Sequence, residues 1–115
     1  MYQHSYAEVQ EDDQAEARRN EAWALDHAAT LLLQADELPH PSVEGVKALH
    51  FTRRLWTAFI TELAAPENAL PQELRANLIS IGIWILKEAD AIRLNKSTNY
   101  AGIAEICAIV RDGLR

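Results

Sequence analysis

The side chains that could carry a reaction or hold a metal are four histidines, His4, His27, His40 and His50, one cysteine, Cys107, and 17 carboxylates. A metal site on a helical scaffold asks for ligands three or four residues apart on one face, as in the Glu-x-x-His pairs of di-metal carboxylate bundles. Glu37 and His40 have that spacing, but Pro39 breaks the helix that would align them. His27 follows Asp26 directly, so the two point to different parts of a helix. Cys107 falls on the inward face of the last helical stretch, the place of a small core residue and not of a nucleophile. There is no glycine-rich phosphate loop. No catalytic, cofactor-binding or metal-ligating set emerges, and the chain is not expected to be an enzyme.

The basic residues Arg53, Arg54, Lys87, Arg93 and Lys96 are a possible patch for RNA. They lack aromatic interleaving and a nucleic-acid motif, and the net charge is −6. Direct nucleic-acid contact is therefore not expected. Charge is uneven: residues 1–37 hold nine acids and two bases, a balance of −7, and the rest eight acids and nine bases, +1. Such asymmetry points to self-docking or a basic partner, or to a solvated helix face. A single cysteine, no basic and apolar leader at the start, and no apolar run of the ~20 residues needed to cross a bilayer suit a cytoplasmic protein without membrane contact.

The elements that must position these side chains are all helical. Residues 71–94 read as one long helix whose middle, Leu78 to Leu86, is apolar on almost every side. A helix apolar all round is a buried one, so this is expected to be the central helix. Gly82 within it costs about 1 kcal/mol relative to alanine, a cost explained by close approach of another helix or of a ring such as Trp56. Asp13 and Glu16 have capping-box spacing and open a helix running to about Leu38. Its core face reads Ala15, Ala22, Leu25, Ala29 and Leu32, with Ala28 and Leu33 flanking and Trp23 at a boundary. Ser42 is the expected cap of a second helix, Val43 to about Ala65. There Val46, Leu49, Arg53, Trp56, Ile60 and Leu63 form a heptad seam, and Arg53 within it either finds a partner such as Glu88 or Asp90 or snorkels its charged head to water along its aliphatic stem. Asn99 caps the last helix, Tyr100 to about Asp112, which turns Ile103, Ile106, Cys107 and Val110 inward.

The expected fold is all-α: one domain over residues 1–115, a small bundle of three long helices and one shorter carboxy-terminal helix. Residues 1–12 are a possible docking arm, with Tyr2, Tyr6 and Val9 on one face at 4–3 spacing. Three helices of about 35 Å and one of about 20 Å leave roughly 15 Å of bundle side uncovered. The arm, or a helix from another protein, would cover it. A groove is expected among Phe51, Trp56, Phe59, Trp84 and Tyr100, with Arg53 beside it and Tyr2 and Tyr6 filling it when empty; the alternative for each of these aromatics is a place in the core.

Several stretches together resemble the FlaF family of flagellar biosynthesis regulators of alphaproteobacteria. They are the opening Met1 to Val9, Arg53-Arg54-Leu55-Trp56, Pro66 to Pro71, Leu78 to Trp84, and the ending Ile109 to Arg115. The resemblance runs nearly end to end. It implies a cytoplasmic protein needed for flagellin production or export, acting on flagellin as a chaperone and together with FlbT, a regulator of flagellin messenger translation. The amphipathic terminal helices of flagellin would be its ligand. The alternative is post-transcriptional control of flagellin messenger, with FlbT, through RNA or protein contacts.

Overall fold

The computed structural model describes residues 2–114, with side chains from residue 13 onward. Four helices follow one another: α1 (Tyr2–Asp36), α2 (Val43–Ala64), α3 (Gln72–Arg93) and α4 (Tyr100–Leu114). There is no strand among the described residues, and no described helix is long and apolar enough to cross a membrane. The molecule is elongated, 59 × 24 × 18 Å, because α1 is much longer than its neighbours.

Local chemistry sets the helix starts. Ser42 Oγ accepts from the Gly45 N–H at 3.0 Å and Asn99 Oδ1 from the Gly102 N–H at 3.0 Å, each satisfying one of the N–H groups a helix start leaves unpaired. Pro71 occupies the position before α3, where its missing N–H costs nothing. The α2–α3 connection is clasped by Asn68. Its Nδ2 donates to the Glu62 carbonyl at 3.0 Å, and its Oδ1 accepts from the Leu70 N–H at 3.0 Å. One expected start is corrected: α1 passes through Asp13 without a break and begins at Tyr2, so the expected arm is the first turns of α1 itself.

The helices form a ring in the order α1, α2, α3, α4, with α4 returning to α1, which it contacts far more than it contacts α3. The core holds Leu25, Ala28, Leu32 and Ala35 of α1, Trp56 and Leu63 of α2, Ile85 and Ala89 of α3, and Ile103 and Cys107 of α4. Alanines on α1 let α2 and α4 come close. At Gly82 the approach of α2 is closer still. A Cβ there would lie 2.8 Å from Cδ1 of Ile60 and 2.9 Å from Cε3 of Trp56, which accounts for glycine in mid-helix.

Two expectations about burial are corrected. α3 is not surrounded. It buries a single stripe, Leu78, Gly82, Ile85, Ala89 and Ile92, and leaves Ile83 and Trp84 exposed at 44% and 42%. In a ring each helix has two neighbours, so an all-round apolar helix necessarily shows one face. The α2 seam is also rotated. Val46 and Arg53 lie outside, and the buried line is Gly45, Ala48, Leu49, Thr52, Trp56, Phe59 and Leu63. On α1, Ala15 and Leu33 are exposed and Ala35 joins the core.

Candidate functional site

The expected groove residues fall into different places. Trp56, Phe59 and Tyr100 are core, 0%, 5% and 3% exposed. They stabilise the bundle, and only the edges of Phe59 and Tyr100 reach cavity walls. Trp56 stacks on Phe59 with ring centroids 5.3 Å apart. Its indole N–H has no hydrogen-bond partner, although the neighbouring Cys107 sulfur feels it. Burial pushes the Cys107 thiol pKa up, and the indole opposes this only in part. Tyr100 packs its ring 4.9 Å from that of His40, and its hydroxyl fills the space a side chain at Gly45 would take. Burial, and then the nearby Asp36 charge, raise the pKa of its hydroxyl.

Arg53 finds one of its two expected partners, but on the surface: its Nη1 is 3.8 Å from Asp90 Oδ1, with both side chains about half exposed. Asp90 is held more tightly by Arg93, at 2.6 Å. The hydrogen bond from Arg93, with the charges of Arg93, Arg53 and Lys96, lowers the Asp90 pKa. Glu88, the other expected partner, accepts from Ser97 Oγ at 2.6 Å. Trp84 stands on the outer face of α3, away from the other aromatics named with it. The side chains of Tyr2 and Tyr6 lie outside the described residues.

Arg53 and Tyr100 line a small cavity of about 200 Å³ with Leu49 and Ile92, and Phe51 meets a broader open surface. It lines a broad cavity of about 600 Å³ between α1 and α2, together with Leu31, Lys47, His50, Arg54 and Leu55. An aromatic ladder leads into it. The Trp23 indole stacks on His27, centroids 5.2 Å apart and planes 8° apart, and His27 meets Phe51 edge-on at 4.9 Å. Trp23 is 65% exposed. The floor is apolar, and Lys47 and Arg54 give the α2 rim positive charge. The groove was only partly visible in the sequence. Trp23, His27 and Leu31 do recur at four-residue spacing on α1, but they run beside the apolar stripe and not within it.

A smaller cavity of about 200 Å³ sits where α1, α2 and the α2–α3 loop meet, lined in part by Arg18, Glu21, Phe59, Glu62 and Leu70. Partial burial and a hydrogen bond with Glu62 push the Glu21 carboxyl up to about 7. At the α1–α4 contact, Arg111 pairs with Asp26 and with its neighbour Asp112, and both bonds raise its pKa. No cluster of three or more His, Cys, Asp or Glu side chains comes together among the described residues.

These features define a helical bundle with an open, aromatic-lined groove between two of its helices, the geometry of a helix-in-groove surface. The chain belongs to the FlaF family: the family described as flagellar protein FlaF matches residues 2–114. It is thus a flagellar protein. Neither the curated proteins nor the solved structures give a match to it.

Proposed function

We propose that this protein is a non-catalytic, cytoplasmic flagellin-binding chaperone and regulator, which holds an amphipathic helix of flagellin in the α1/α2 groove and so promotes flagellin synthesis or export. The observation that carries the reading is the Trp23–His27–Phe51 ladder, exposed at Trp23 and partly buried at His27 and Phe51, opening into an apolar floor at Leu31 and Leu55. Exposed aromatics beside an apolar cleft are the usual anchors of a binding surface. Membership of a flagellar family supports flagellin as the partner, since its terminal helices must be kept from polymerising before secretion.

Titration calorimetry with purified flagellin tests the reading. Wild-type chain binds, and Trp23→Ala with Phe51→Ala weakens binding at least about tenfold, roughly 1.4 kcal/mol, while Trp84→Ala on α3 leaves it unchanged. Loss of binding in Trp84→Ala alone would move the site to α3, and no binding at micromolar concentration would defeat the reading.

The second reading is control of flagellin messenger, with FlbT, and it has one observation in its favour. Lys47, Arg53 and Arg54 all stand exposed on α2. A gel shift that weakens steeply between low and moderate salt would support phosphate contacts. Flat salt dependence would leave protein contacts as the route.

A further inference from the structure

α1 is one unbroken helix from Tyr2 to Asp36, and its residues 13–20 are all exposed. At about 1.5 Å per residue it is about 52 Å long, against about 33 Å for α2 and for α3. By helical spacing Val9, Tyr6 and Tyr2 return to the phase of the groove residues Leu31 and His27, with polar Asn20, Glu16 and Asp13 between the two apolar patches. An unbroken α1 cannot bring its own first turns back to a groove that α1 itself lines. A second copy can.

We propose that two copies of this chain pair through the groove, the acidic first turns of each α1 lying antiparallel along the α1/α2 groove of the other. Charge fits: residues 1–13 hold Glu8, Glu11, Asp12 and Asp13 and no Lys or Arg, whereas the groove rim carries Lys47 and Arg54. Length fits too. Tyr2 to Val9 spans about 10 Å of helix and Trp23 to Leu31 about 12 Å. Each copy carries both the docking stripe and the groove, so the contact is two-fold and closes on itself. The pairing does not depend on flagellin occupying the groove. If flagellin does, the second copy competes with it.

Sedimentation equilibrium of the full chain reads the pairing directly. Wild-type chain dimerises with a dissociation constant below about 100 µM, and Tyr6→Asp and Arg54→Glu each raise it at least about tenfold. Unchanged circular-dichroism melts separate lost pairing from lost folding. Mixing Tyr6→Cys chains with His27→Cys chains under mild oxidation gives a disulfide-linked heterodimer, which neither variant forms alone. A chain that stays monomeric over that range, or a dimer that survives removal of residues 2–10, overturns the pairing. So does a Tyr6→Cys/His27→Cys double variant that crosslinks only within one chain. Flagellin binding by a chain that never dimerises would leave the proposed function standing and reject this inference.

Discussion

Trp56 and Trp23 occupy opposite extremes of the same bundle. Trp56 is fully buried between α2 and α3, stacked on Phe59 and pressed against the bare backbone of Gly82. Trp23 is 65% exposed on α1, stacked on His27 at the mouth of a groove. Both are large apolar rings with a stacking partner. What separates them is the number of helices that reach them. The closed region converts area into stability; the open region leaves area unspent and available to a second molecule.

The contrast makes four predictions. Trp56→Ala removes a fully buried ring and is expected to cost about 4 kcal/mol, seen as a large fall in urea midpoint. A loss under 1 kcal/mol would mean that the region is looser than its packing implies. Gly82→Ala is a balance. Helix propensity gains about 1 kcal/mol, and overpacking against Ile60 and Trp56 costs about 1 to 3 kcal/mol. The Trp56 ring cannot retreat as the end of Ile60 can, so a net loss of about 1 kcal/mol is expected; a stabilised variant would show that α2 and α3 can move apart.

Glu21→Gln tests the α1–α2 contact through pH. The carboxyl is pushed from its ordinary 4.5 up to about 7 in the folded chain, so the unfolded chain gives up this proton at lower pH than the folded one. The stability it supplies is complete below pH 4.5 and is lost as pH rises through 7. The side chain is about half buried, so water screens much of the effect, and glutamine should stabilise by only about 1 kcal/mol at pH 8 and by almost nothing at pH 4. Equal gains at both pH values would rule out titration as the cause. Trp23→Ala, the smallest effect, should change stability by less than about 0.5 kcal/mol while abolishing the groove's anchor. A larger loss of stability would make Trp23 a core residue in solution.

Much of this fold is written locally. Ser42 and Asn99 announce helix starts because a helix end leaves N–H groups that only a few side chains satisfy, and Pro71 because proline's missing N–H is no loss there. Gly82 announces a close approach because glycine is otherwise a loss in a helix. Burial is less legible, because periodicity gives the direction of an apolar face and not the number of helices that will meet it. Leu78 to Leu86 reads as buried on all sides, yet Ile83 and Trp84 face out because α4 settles mainly on α1 and covers little of α3. Arg53 lies in an apparent seam, but α2 is turned enough to bring it to the surface beside Asp90. The groove was less legible still. Phe51 was visible as one member of an apolar face, whereas Trp23, His27 and Leu31 acquire meaning only when α2 lies alongside α1.

The Asn68 clasp has a kinetic consequence. It closes the α2–α3 hairpin over residues 65–71, whereas docking α4 on α1 must close residues 37–99. Loop entropy penalises the longer closure by about 2 kcal/mol more. The α1–α4 contact is thus the late one to close, whereas α1 reaches α2 through residues 37–42 as cheaply as α2 reaches α3. Substitutions at the α2–α3 contact should slow folding, and those at the Asp26–Arg111 contact should mainly speed unfolding. The seal between the first and last helices is then also the last contact to be made.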